Sequence, residues 1–349
     1  MSKSISTTQL AMAKPSIFGL PLVFSLLFIA ACSVGVLNVC TGSVAIPLSD
    51  VWHIIFHPNE TISSAIVWDI RLPRTIAALL GGGFLAVSGL LLQVYFRNPI
   101  VGPFILGISS GATLMVSIVM LTTLTIQLQI MSPMITTLAA IIGAYSVMFI
   151  VVSVASKVKS GVTLLIVGLM MGYLCHSVTA VLTALAEKEQ VKGFVLWQLG
   201  SFSGFKWGEI ELLLILGGCL LSIIYLLSKP LNAMLLGEEY ALSMGININR
   251  FRMLILLAAC AMAGMITAMA GPVAFIGLAV PHMARMIFST SDNRILIPGS
   301  LLLGGLVTSL CDFIARTVMS PVELPLSAVT ALFGAPIVIS LLMKKRVKL

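Results

Sequence analysis

The apolar residues of this chain gather into ten runs, at about residues 17–40, 75–95, 104–124, 133–154, 162–185, 209–227, 252–270, 273–290, 296–315 and 327–343. Runs of roughly 17–25 residues match the thickness of a bilayer core when wound as helix. Nothing in them alternates with period two, so they do not read as barrel strands. Only 9% of the residues are charged and 59% are hydrophobic. A water-soluble domain carries about 25% charge, so this chain cannot cover a globule with polar surface. Lipid is the solvent that fits, and lipid requires every backbone polar group to be satisfied inside the protein. The expectation is an all-α, polytopic membrane protein of about ten spans.

The net charge of +8 does not point to nucleic acid, because the basic residues are scattered between the runs with no aromatic platform beside them. Threading the chain with its N-terminus inside puts fourteen of the twenty basic residues on the inner side. Six fall outside: Arg71, Arg74, Lys188, Lys192, Lys206 and Arg316. This positive-inside bias predicts that both termini are cytoplasmic, which ten spans satisfy. Ile29-Ala30-Ala31-Cys32 resembles a lipoprotein cleavage box. The apolar run continues past it, however, so 17–40 reads as the first span. The six cysteines have no CxxC spacing and read as small buried residues.

Three polar stretches carry structure of their own. Residues 41–74 read as an outer loop with an amphipathic piece around Val51–Phe56. Residues 187–208 hold an apolar patch too short to span, which predicts an interfacial or re-entrant helix anchored by Trp197 and Trp207. Residues 228–252 form the longest inner loop and read as two short amphipathic helices about a glycine turn. The eighth run is irregular. Gly271-Pro272 separates it from the seventh, and Pro281-His282 interrupts it, so a short or broken helix is expected. A faint echo links Gly102-Pro103 with Gly271-Pro272, as two halves related by an in-plane pseudo-axis would produce.

No catalytic constellation is present. The four histidines, His53, His57, His176 and His282, lack metal-ligand spacing. There is no GxxxxGK[ST] loop, so ATP, if it drives the process, binds another polypeptide. No acid sits clearly in mid-membrane, which argues against an ion-coupled secondary transporter, the competing class. The stretch Gly81, Gly82, Gly83, Ala86, Ser88, Gly89 permits close helix approach, and a role in lining a pathway is compatible with that. Arg71 and Arg74 in IRLPR, and Arg316 in DFIAR, are basic against the general bias. They read either as snorkelling anchors or as a docking site for acidic groups. Asp312, four residues before Arg316, is an alternative internal partner. His176 reads as a pathway-lining group or as a histidine hydrogen-bonded between helices.

Five segments in order carry a family resemblance: 71–112, LWQLGSF (196–202), LNAMLLGEEYALSMGI (231–246), GPVAFIGLAVPHMAR (271–285) and 311–336. On these the chain resembles, over nearly its whole length, the FecCD-type permeases of the iron-siderophore, haem and cobalamin uptake ABC transporters. The resemblance implies one permease domain over 1–349, without enzyme activity or cofactor. Its cargo would be an iron chelate or a related compound, imported into the cytoplasm across the bacterial inner membrane. It further implies a second copy of the chain, two cytoplasmic ATPase subunits and a periplasmic or lipid-anchored binding protein. Arg71, Arg74 and Arg316 match arginines that meet acidic residues of that binding protein. Leu231, Asn232, Leu235, Gly237, Glu238, Ala241 and Gly245 lie in the segment matching the helices that couple to the ATPase. Asn98 to Ile100, with Gly161 and Val162, match the cytoplasmic narrowing of the path. At the second point this chain departs from the small hydroxyl residues of some relatives.

Overall fold

The structure is a computed structural model. It describes residues 19–343 except 43, 45, 58–60, 123–132, 156, 158–160 and 321. Lys3, Lys14, Lys159 and the basic run 344–348, counted above toward the inner side, lie outside the described residues.

Fourteen helices and no strand form among the described residues. They are α1 (Gly19–Cys40), α2 (Leu48–Phe56), α3 (Ile62–Phe96), α4 (Ile108–Leu121), α5 (Pro133–Ala155), α6 (Gly161–Leu185) and α7 (Lys188–Gln198). Then follow α8 (Trp207–Leu226), α9 (Ser228–Leu236), α10 (Glu238–Ser243), α11 (Ile248–Ala270), α12 (Ile276–Phe288), α13 (Asn293–Thr317) and α14 (Leu326–Met343). Seven of these, α1, α3, α5, α6, α8, α11 and α13, are long and apolar enough to cross a membrane. The apolar helices α4, α12 and α14 fall on the remaining three runs but are shorter.

Helix α12 has 13 residues, or about 20 Å at 1.5 Å per residue, against a hydrocarbon core of about 30 Å. The non-helical segment 271–275 leads into it, so the eighth run is short, as expected. It is not broken at Pro281, which lies inside the helix. The loss of the bond to Gly277 O is accommodated by neighbours. Gly89 of α3 packs directly on the Gly277 carbonyl, and Gln93 donates to Leu278 O at 3.0 Å.

The outer loop expected to run to residue 74 ends much earlier. Helix α3 starts at Ile62, with the Thr61 hydroxyl accepting from Ser64 N at 3.3 Å, and runs through IRLPR. A π-helical stretch, Ile66–Arg71, precedes Pro73. The widened turn takes up a proline that cannot donate and that crowds the carbonyl four residues back. Amphipathic α2 forms as expected, burying Val51 and Ile54. Helix α7 is the short helix expected in 187–208. Trp207 is not part of it: it opens α8, and its indole donates to Trp68 O at 2.9 Å.

Helix α3 is the centre of the bundle and packs on α1, α11, α12 and α13. Its glycines bring backbones into contact. A Cβ added at Gly304 of α13 would lie 2.5 Å from Gly82 O and 2.6 Å from the Ala86 Cβ. Close approach of this kind substitutes for the hydrophobic drive that lipid does not supply. Ser88 donates to Ala259 O at 2.6 Å, tying α3 to α11.

Candidate functional site

One end of the bundle is built from arginines. Arg71, 4% exposed, points into the C-terminal end of α1. It donates to Val39 O at 2.8 Å and Cys40 O at 3.0 Å, and also to Val44 O. Val39 O and Cys40 O are carbonyls that the end of α1 leaves unpaired, and a cation there also meets the negative end of the dipole. Gly42 admits the guanidinium, since a Cβ there would lie 2.8 Å from Nη2.

Arg74 is the hub. It donates to Asp312 at 2.9 and 3.1 Å and to Glu323 at 2.7 and 3.1 Å. The Asp312 side chain is 2% exposed and that of Glu323 46%. Arg316 reaches Asp312 only at 3.8 Å. Its Nη2 donates instead to the backbone and side-chain oxygens of Asn38. Asn38 in turn donates to Ser309 O at 3.0 Å and Ser309 Oγ at 2.8 Å. The three arginines singled out by sequence thus converge, and internal groups engage all three. Around Glu323 the exposed apolar residues Val318, Met319 and Val322 form a rim.

At the opposite end, α9 and α10 meet at Gly237, whose φ of 135° suits glycine alone. Leu231, Met234 and Ala241 are buried and hold this helical hairpin to the body. Asn232 pins α9 to the start of α13. It donates to Asp292 at 2.6 Å and accepts from Asn293 N at 2.9 Å and from the Asn293 side chain at 2.8 Å. Glu238 pairs with Arg252, which lies 6.0 Å from the Tyr95 ring centre near the end of α3. Leu235 is half-buried and Gly245 exposed with φ 80°. Leu236, Tyr240, Leu242 and Met244 are exposed and have no apolar cover. A cavity of about 550 Å³ opens beside them, lined by Glu238, Leu242, Asn247 and Arg252.

Arg74 lies in the fourth turn of α3, and Arg316 in the last turn of α13. The hairpin instead meets the start of α13 and the end of α3. Helix α13 has 25 residues, or about 37 Å. The two assemblies are therefore separated by more than a hydrocarbon core.

Asn98, Ile100, Gly161 and Val162, matched to the narrowing, lie at helix ends. Asn98 N bonds Gln93 O at 3.1 Å after Arg97 turns left-handed, closing α3 in a Schellman cap. The Asn98 side chain accepts from Ile100 N at 3.1 Å. Gly161 opens α6, and Val162 beside it is exposed. The close contact between these regions lies further along, where Gly107 packs on Gly168 and Gly172 of α6.

His176 borders a cavity of about 310 Å³ lined also by Phe104, from the 3-10 turn Pro103–Leu106, and by Pro272 and Ala274, from the non-helical stretch 271–275. Ser109, Ser110 and Thr113 of α4, Thr179 of α6 and Gln198 of α7 supply polar groups, and Pro272 and Ala274 close one side. Non-helical backbone within a membrane bundle is tolerated where it lines a cavity. Among the described residues no cluster of metal-ligating side chains occurs.

Sequence reasoning missed Glu323 and Asp312 as partners of Arg74, Asn38 as the bridge from α1 to α13, and the Asn232–Asp292–Asn293 clasp. It also missed Gln93, fully buried, whose Oε1 accepts from Arg285 at 2.7 Å. Gln93 had a signal: with Ser88 it is one of two polar residues in the apolar run 75–95 after Thr75.

An all-helical bundle with this many apolar spans, polar assemblies at its two ends and an open, mostly apolar cavity edged by a few polar side chains defines a polytopic transport permease. Residues 12–344 match the FecCD transport family, and the chain belongs to that family. It is 33% identical over 313 residues to the vitamin B12 import system permease protein BtuC of Klebsiella pneumoniae, covering 89% of this chain and 90% of that one. It is 32% identical over 335 residues to the hemin transport system permease protein HmuU of Yersinia pestis, covering 94% and 96%. A solved metal-chelate type ABC transporter in an inward-facing conformation superposes with a TM-score of 0.82 at 25% identity, covering 93% of this chain and 99% of that one. The PsaBC structure from Streptococcus pneumoniae, at 12% identity and a TM-score of 0.52, shares the fold alone.

Proposed function

We propose that this chain is the membrane-spanning subunit of an ATP-driven importer for a metal chelate or a related bulky cofactor, with iron chelates, haem and cobalamin as the cargo class. It works as a pair of identical subunits in the bacterial inner membrane with both termini cytoplasmic, as a single permease domain of ten spans. The observation that carries this reading is the separation of two unlike assemblies across α3 and α13. One is a buried arginine cluster with an exposed acidic and apolar rim. The other is a hairpin with an uncovered apolar face.

The hairpin is the seat of the ATPase. Its apolar residues need a partner to bury them, and its attachment through Asn232 transmits partner motion into α13. The arginine end meets the binding protein. Arg71, Arg74 and Arg316 are internally engaged there, so a docking carboxylate reaches Arg74 by replacing exposed Glu323 in a charge-assisted pair. Asn98, Ile100, Gly161 and Val162 narrow the path on the cytoplasmic side, and His176 lines it further in.

The test is uptake into proteoliposomes carrying the permease, its ATPase and its binding protein, with ferric chelates, haemin and cyanocobalamin offered in turn. Uptake of one cargo is expected to require ATP and to persist when valinomycin and a protonophore collapse the membrane potential. Uptake that proceeds without nucleotide and stops with the ionophores would establish an ion-coupled carrier instead.

A further inference from the structure

The cavity beside His176 is more than a gap between helices. Ser109 lines the cavity and is 5% exposed, and its buried hydroxyl has no hydrogen-bond partner among the described residues. A buried hydroxyl left unpaired is costly, so a fixed orphan of this kind marks a place where something else supplies the partner. Ser109 and Ser110 lie in the first turn of α4, a helix of 14 residues. Its N-cap is Gly107, which offers no side chain to the free N–H groups. That end carries the positive pole of the helix. The imidazole of His176 and the amide of Gln198 add further donors, and none of the lining residues is acidic. The wall opposite is apolar, made by Phe104, Pro272 and Ala274.

From this we infer that the cavity is a transit site for an oxyanion edge of the cargo, a carboxylate or phosphate, held by the Ser109 hydroxyl, the α4 N-terminus and His176. The inference rests on the permease reading and deepens it by naming what the path recognises. A few donors around one edge of a bulky chelate hold it only briefly, as passage requires. The apolar wall accepts the rest of the molecule without fixing it. Such a site favours cargo with peripheral acid groups over the same cargo esterified.

The test does not require the cargo to be known. Ser109→Cys is introduced into the assembled transporter in nanodiscs, in a background whose six native cysteines are replaced. The probes are the anionic reagent methanethiosulfonate ethylsulfonate and its cationic trimethylammonium counterpart. Their rates at the introduced thiol are each normalised to the same reagent acting on 2-mercaptoethanol. A helix N-terminus also favours the thiolate, but that raises both rates alike and cancels in the ratio. The expected anion-to-cation ratio is about tenfold or more, a bias of about 1.4 kcal/mol, and His176→Ala lowers it at least threefold. A ratio at or below one, or an introduced thiol unreactive toward both reagents, overturns the inference. If Ser109→Cys fails to assemble, Ser110→Cys on the same wall carries the same expectation. A failed ratio with ATP-driven uptake intact refutes the transit site alone. Loss of ATP-driven uptake in the unmodified transporter refutes the importer reading.

Discussion

Asp312→Ala will unfold this permease at a much lower temperature than Asp312→Leu combined with Arg74→Met. The single change leaves the Arg74 guanidinium, 7% exposed, with only the partly exposed Glu323. Breaking a buried pair in this way costs about 3–5 kcal/mol, because a charge stays buried without its partner. Replacing both partners by apolar groups of similar size removes the cost along with the interaction and is often neutral. Arg316 keeps its bonds to Asn38 in either variant. At roughly 2–4 °C per kcal/mol, the single variant should melt about 6–20 °C lower, read by tryptophan fluorescence on heating the solubilised protein. The double variant should recover more than half of that fall. A single variant that melts no lower than the parent would show that the cluster contributes little to the bundle and is held chiefly for another partner.

The second large effect concerns the hairpin. Leu236 is 71% exposed and Leu242 58%, so Leu236→Glu with Leu242→Glu leaves the permease fold intact. Burying each leucine against a partner is worth about 1.5–3 kcal/mol. Losing both, with two carboxylates now desolvated, weakens ATPase assembly by a factor on the order of 100 or more. Co-purification of the ATPase should fail while the melting temperature of the permease alone moves little. Ala241→Glu provides the contrast. That side chain is fully buried, and its replacement should lower the melting temperature of the isolated permease. Retained co-purification of the ATPase with the double glutamate variant would move the ATPase seat elsewhere.

The sequence reading found what lipid and local geometry dictate. The apolar runs, the glycine turn at Gly237, amphipathic α2 and the non-spanning α7 all follow from composition and short-range pattern. It placed the start of α3 too late because polar residues at 62–74 look like a loop. They are helical because a π-helical turn accommodates Pro73 and because Arg71 spends its charge on the end of α1. Of the two outcomes that Gly271-Pro272 and Pro281 left open for the eighth run, a short or a broken helix, the short one holds, and contacts from Gly89 and Gln93 carry the helix through Pro281. The arginine cluster was legible as three residues and not as a network. The partners of Arg74 lie 238 and 249 residues away, and nothing local encodes that distance. The same holds for the Asn232 clasp, which spans 60 residues to Asp292. The cavity at His176 needed the corners at Gly107 and Gly271 to be brought together before its polar lining became visible.

In an importer of the proposed kind the arginine end and the hairpin face different compartments. Single cysteines at Val322 and at Leu236, both exposed at those two ends, report this directly. With the native cysteines replaced, a membrane-impermeant maleimide applied to intact spheroplasts should label Val322→Cys at once. Leu236→Cys should react only after the membrane is permeabilised. Labelling of both positions from outside the intact membrane would contradict the account.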